Sequence, residues 1–153
     1  MTFARSRRSR RVENALRRLR HGLRPGADVI SPVTPTDLYM AHVSVYWFAA
    51  RFVRGRRVLD LGCGTGYGAA DLRGYGATEV VGVDRDAWAI RYARRHYRMP
   101  GLSFQAGDIE RLGDSNPGLG QFDVILSSNV FPLLGDVKAG LEEVRKHLVP
   151  NGR

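Results

Sequence analysis

The sequence is poor in the residues that staple or anchor a chain. Among 153 residues there is one cysteine, Cys63. No internal disulfide can form, and a reducing, cytoplasmic setting is expected. No apolar run approaches the roughly 20 residues that a bilayer-spanning helix needs, and no signal-peptide core is present. No metal is expected. Lysine is almost missing: Lys138 and Lys146 stand against 22 arginines. That bias often accompanies GC-rich coding DNA and by itself says little about partners. The chain is nonetheless long enough for one domain with its own core, and its 43% hydrophobic content is ordinary for a globular protein.

The net charge of +9 is unevenly spread. Residues 1–24 hold nine arginines and one acid, Glu13, and so carry +8, leaving +1 for the remainder. This basic N-terminal tail admits several readings. It can be a solvated segment, an arginine grip on nucleic-acid phosphates, or an Arg-rich, acid-poor targeting segment. Val12, Leu16, Leu19 and Leu23 recur at helical spacing, which also allows an amphipathic helix docked on the body or on a membrane surface. Residues 25–35, with Pro25, Gly26, Pro32 and Pro35, read as a linker. Residues 36–153 read as the folded domain.

Within that domain the elements alternate. Thr34 as cap, Pro35 and Asp37 predict a helix running to about Phe52, rich in aromatics and stopped by Gly55. Val58–Leu61 predicts a first strand, Gly66–Tyr75 a helix, and Glu79–Val83 a second strand. Asp86 caps a helix over Ala87–Arg98, and Leu102–Gln105 is a third strand. Residues 113–121 read as a loop. Phe122–Ser127 is an apolar fourth strand, expected to be buried on both faces. Val137, Leu141, Val144 and Leu148 mark a last helix capped by Asp136, before a Pro150-Asn151-Gly152 turn. Strands separated by helices imply α/β architecture, with a parallel, doubly wound sheet.

The first strand runs into Asp60-Leu61-Gly62-Cys63-Gly64-Thr65-Gly66-Tyr67-Gly68. Glycines between a strand and a helix allow a tight turn and let a ligand approach the backbone. They fall at the carboxyl end of the strand, where open α/β sheets bind ligands. Asp84, at the tip of the second strand, can accept two hydrogen bonds from a ribose diol. Asp108, after the third strand, can accept from an adenine amino group with Ile109 on the ring. A dinucleotide fingerprint is disfavoured: counting from Gly62, the sixth position is Tyr67 rather than glycine. Asp60 would also oppose a pyrophosphate, whereas a cofactor bearing an ammonium and a sulfonium tolerates it.

On these residues the chain resembles the class I S-adenosylmethionine-dependent methyltransferases. Val58–Gly66 is similar to the first motif of that family. Asp84 and Asp108 fall at its ribose and adenine acids. Phe122–Ser127 resembles its fourth strand, and Leu148–Gly152 the turn before its fifth. The resemblance spans about residues 39–152. It implies a Rossmann-like fold, S-adenosyl-L-methionine as cofactor and methyl transfer to a small-molecule acceptor. The implied cofactor-binding residues are Asp60, Gly62, Cys63, Gly64, Gly66, Asp84, Arg85, Asp108, Ile109 and Ser127. Gly62 and Gly64 would border the methionine portion, with Asp60 stabilising the loop and reaching toward the amino group.

Methyl transfer from a sulfonium mainly requires alignment and exclusion of water; a base is needed where the nucleophile must lose a proton. Ser127, Ser128 and Asn129 are expected at the methyl-facing wall. Where many small-molecule members carry Glu-His, this chain has Pro132-Leu133. Tyr39, His42 and Tyr46 share one helical face, and the resemblance lets that helix cover the cofactor, with His42 either as a base or as a packed or solvated histidine. The family's fifth to seventh strands should follow Gly152. An incomplete sheet of about four strands is therefore expected, in a truncated chain whose fourth strand is an open edge. The alternative is a short form with that edge covered by the tail or another subunit. Two further functions stay open: a catalytically incomplete fragment that still binds the cofactor, and an RNA methyltransferase using the Arg-rich tail. No Asn/Asp-Pro-Pro-Tyr-like run follows the fourth strand, which disfavours amino methylation of bases.

Overall fold

A computed structural model describes residues 37–153, with side chains from His42 onward. The basic tail (1–24), the linker (25–35), the Thr34–Pro35 cap and the Tyr39 side chain lie outside the described residues. Four parallel strands, β1 (Arg57–Leu61), β2 (Glu79–Asp84), β3 (Leu102–Ala106) and β4 (Val124–Ser127), form one sheet in the order β3-β2-β1-β4. The helices are α1 (Asp37–Val53), α2 (Tyr67–Gly74), α3 (Ala87–His96), a short α4 (Leu112–Ser115) and α5 (Val137–His147).

The sheet divides the apolar residues into two cores, because successive strand residues face opposite sides. Val58, Val80 and Phe104 meet Tyr46, Ala49 and Val53 of α1, Leu72 of α2 and Ile90 of α3. Leu59, Leu61, Val81 and Val83 face Leu112, Phe122 and Val144 on the other side. Helices on both faces give the expected doubly wound, Rossmann-like arrangement. The N-terminal edge is clamped by Arg57, which ion-pairs with Glu79 at 2.6 Å and donates to the carbonyls of Gln121 and Leu119. Its guanidinium lies 4.2 Å from the Phe122 ring centroid.

Several boundaries differ from the sequence expectation. The presumed loop 113–121 begins inside α4, because fully buried Leu112 and a 2.7 Å bond from the Gly113 N–H to Glu143 hold one helical turn. Helix α3 stops at His96, two residues early, where Tyr97 turns extended. Strand β4 starts at Val124 because Phe122 instead pairs with Leu148, through the carbonyl of His147 and the N–H of Val149. Residues Ile125–Ser127 are half-buried rather than enclosed on both faces. Beside them, the Arg153 N–H donates to the Asp123 carbonyl and the Ile125 N–H donates to that of Arg153, at 2.9 and 2.7 Å.

Gly68, in the first turn of α2, lets α1 approach: a Cβ there would lie 2.0 Å from Tyr46 Cζ. Alanine gains up to about 1 kcal/mol over glycine inside a helix, but overpacking costs about 1–3 kcal/mol. Gly68→Ala should therefore lower the urea midpoint. Gly74→Ala, where a Cβ meets nothing within 4 Å, should not. Equal midpoints for the two variants would contradict the close packing.

Candidate cofactor site

The loops at the carboxyl ends of the strands enclose a cavity of about 270 Å³. The loop after β1 contributes Gly62, Cys63 and Gly64, that after β2 Asp84, Arg85 and Asp86, and that after β3 Gly107 through Glu110. Ser128, Asn129, Val130, Leu133 and Leu134 follow β4, and α1 covers the cavity with His42 and Tyr46.

Backbone bonds shape the glycine loop. The N–H groups of Gly62 and Cys63 both donate to the Val83 carbonyl, at 2.7 and 3.1 Å, drawing the loop over β2. Gly62 (φ 73°) and Gly64 (φ 51°) adopt left-handed conformations that side chains rarely tolerate. A Cβ on Gly62 would lie 2.1 Å from Val130, whereas one on Gly64 would enter open space. Gly64 thus presents bare backbone to the cavity. Its N–H donates to Asp84 Oδ2 at 2.8 Å, while Asp84 Oδ1 accepts from the Asp86 N–H at 2.8 Å. One carboxylate thereby ties the glycine loop to the start of α3. Asp86 caps α3 through the N–H of Trp88.

On the next loop, Asp108 Oδ1 accepts from the Glu110 N–H at 3.0 Å, and Ile109 is buried beside it. Glu110 accepts from the Gly135 N–H, which joins the loops after β3 and β4. At the far end, Asn129 Nδ2 lies 2.7 Å from His42 Nε2.

Residues 58–152 match the model of the methyltransferase domain. The chain is 35% identical over 106 residues to a ubiquinone biosynthesis O-methyltransferase of a Chelativorans species, covering 68% of this chain and 40% of that protein. It is 32% identical over 115 residues to the phthiotriol/phenolphthiotriol dimycocerosates methyltransferase of Mycobacterium tuberculosis, covering 73% and 42%. Among solved structures, a TehB-like SAM-dependent methyltransferase from Corynebacterium glutamicum superposes with a TM-score of 0.61 at 25% identity, covering 94% of this chain and 70% of that one. The chain belongs to the methyltransferase domain family. It spans well under half the length of these two curated relatives.

The methyltransferase fold brings most of the sequence-derived candidates together. His42, Gly62, Cys63, Gly64, Asp84, Arg85, Asp108, Ile109 and Asn129 line the cavity; Asp60, Gly66 and Ser127 do not. Gly66 lies where α2 meets the rest of the core, and a Cβ there would be 2.7 Å from Ala93 and Phe104. Ser127 Oγ is buried with no hydrogen-bond partner among the described residues. Asp60 shares the sheet face of Val58, so strand alternation turns it under the loop toward α1. Both its oxygens lie 3.3 Å from the Tyr46 hydroxyl, and its exposure is 0%. Desolvation lifts this carboxyl to about 8, aided by the charge of Asp84 and opposed by the Tyr46 hydrogen bond.

Tyr67, Glu110, Val130, Leu133 and Leu134 also line the cavity, though none is a site residue in the sequence reading. Leu133 carried a usable signal, an apolar residue beside a proline in the loop after β4. Burial pushes the Cys63 thiol up, which keeps it protonated and unreactive. Among the described residues no group of acids, histidines and cysteine is arranged to hold a metal, and no helix is long and apolar enough to cross a membrane.

The raised Asp60 value fixes a pH dependence. The folded carboxyl keeps its proton up to about pH 8, whereas the unfolded one loses it near 3.8. Its contribution is therefore full below the lower value and declines as pH rises toward the upper one, by roughly 1.4 kcal/mol per pH unit. Asp60→Asn removes this titration. Urea unfolding at pH 5 and pH 7 should show the variant gaining on the native protein as pH rises; parallel behaviour would remove the raised value.

Proposed function

We propose that this cavity holds S-adenosyl-L-methionine and serves methyl transfer to a small-molecule acceptor, in the cytoplasm. The observation that carries the reading is the Asp84 carboxylate bonded to the N–H of Gly64 beside bare glycine backbone. This is a rim suited to a ribose diol with the rest of the ligand lying across the loop. The charge pattern fits the same cofactor: among the described residues, Asp84, Asp86, Asp108 and Glu110 outnumber Arg85 around the cavity. Four acids against one cation suit hydroxyls, an amino group and a sulfonium, and disfavour a pyrophosphate. The relatives named as methyltransferases of ubiquinone biosynthesis and of phthiotriol dimycocerosates support a small-molecule acceptor.

In this reading Asp84 accepts from the ribose hydroxyls, and Asp108 and Ile109 take the adenine. Gly62, Cys63 and Gly64 border the methionine portion, with Arg85 at the rim. Asp60 acts from beneath, Gly66 sets the packing of the loop, and Ser127 ends the strand that carries Asn129. When bound, the cofactor supplies an electrophilic methyl group on sulfur. The chain's own contribution is orientation and exclusion of water by α1 and the loop after β4.

Calorimetric titration with S-adenosylhomocysteine should show saturable binding, and NADH none. Hydrogen bonds to a charged acceptor contribute about 1.5–3 kcal/mol each, so Asp84→Ala should weaken S-adenosylhomocysteine by roughly tenfold to a hundredfold. Binding of NADH alone would overturn the proposal, and an unchanged affinity in the variant would remove the ribose assignment.

A further inference from the structure

The two ends of the cavity differ in chemistry. Its charged side chains, Asp84, Arg85, Asp86, Asp108 and Glu110, come from the loops after β2 and β3. The end beside β4 is walled by His42, Asn129, Val130, Leu133 and Leu134, none of which is an acid, a lysine or an arginine. Among the described residues the one carboxylate that reaches this end, Glu110, is engaged by the Gly135 N–H, and a carboxylate acceptor finds no fixed cation among the walls named. A neutral acceptor fits.

His42 is the group at this end able to take a proton. It is 8% exposed, and burial holds its pKa below the ordinary 6.5, so the ring is neutral at pH 7. Asn129 Nδ2 donates to His42 Nε2 across 2.7 Å, which makes Nε2 the unprotonated nitrogen and leaves the hydrogen on Nδ1. Asn129 adopts φ 57°, an unusual conformation that asparagine tolerates and that clusters at functional sites. Its amide N–H occupies the position from which an incoming O–H would donate.

We infer that His42 Nε2, occupied by the Asn129 amide until the acceptor displaces it, is the acceptor-binding group, and that the acceptor presents a neutral hydroxyl there for O-methylation. This rests on the cofactor reading above. The acceptor O–H displaces the Asn129 amide and donates to Nε2. The hydroxyl oxygen then bonds to the methyl carbon of S-adenosyl-L-methionine as the carbon–sulfur bond breaks. That electron pair stays on sulfur, giving S-adenosylhomocysteine. The hydroxyl proton passes to Nε2 and on to solvent. The oxygen becomes strongly acidic as the new bond forms, so a weak base suffices.

The probe is phenol, with anisole as the control that lacks the O–H, read by the ¹⁵N resonances of the histidine imidazoles. Phenol should shift His42 Nε2 saturably and anisole should not. His42→Phe should weaken phenol about tenfold, the equivalent of one hydrogen bond. Asn129→Ala, which frees Nε2 from its competing donor, should bind phenol at least as tightly as the native protein. An unshifted His42, an equal shift with anisole, or weaker phenol binding in Asn129→Ala would each overturn the inference. A parallel titration of the native protein with S-adenosylhomocysteine separates the two readings. Cofactor binding with a silent His42 sinks the acceptor subsite alone; a responsive His42 without cofactor binding sinks the cofactor reading alone.

Discussion

The site rests on a buried contact between the Tyr46 hydroxyl and the Asp60 carboxyl. Leaving an ionised carboxylate in that position would cost several kcal/mol. The carboxyl holds its proton instead, near a value of 8, beside the phenol that satisfies it. Three parts of the fold meet there: the strand that ends in the glycine loop, the helix that covers the cavity, and the first turn of α2, where Gly68 leaves room for the ring. Tyr46 also meets Tyr67 edge-on at 5.7 Å. His42 lies one turn earlier on α1, so the anchor that seats Tyr46 also sets the imidazole against Asn129.

Much of this was legible in the sequence, because the informative features are local. The glycines at 62, 64 and 66, Asp84 at a strand tip and Asp86 as a cap each act through backbone geometry within a few residues. Period-two alternation of Val58, Leu59, Asp60 and Leu61 contains the burial of Asp60 as well, yet the resemblance drew attention to a ligand-facing role. What stayed hidden depends on contacts between distant residues. The Glu110–Gly135 bond, the Phe122–Leu148 pairing that delays β4, and the Glu143–Gly113 bond behind α4 join parts of the chain that no spacing rule connects. The meeting of His42 with Asn129, 87 positions apart, is of the same kind; each residue was a candidate, but their partnership was not foreseeable.

Arg57 organises the opposite edge of the sheet. It gathers Glu79, the carbonyls of Leu119 and Gln121, and the Phe122 ring around the first residue of β1. Rigidity at that edge and glycine at the other let one short strand act as both a structural post and the floor of a binding site.

The distribution of cavity residues among separate elements has an evolutionary consequence. The walls that would grip a nucleotide come from the turns after β1, β2 and β3, whereas the uncharged surface at the other end comes from α1 and the segment 128–134. Leu133, 65% exposed, can exchange its side chain for another bulky aliphatic group without touching the carboxylates at 84 and 108, whereas Val130 packs on Gly62 and Leu134 on Gly140. Such a layout favours lineages that retain one donor molecule while diversifying what they modify, and a library randomised at position 133 would sample that same space.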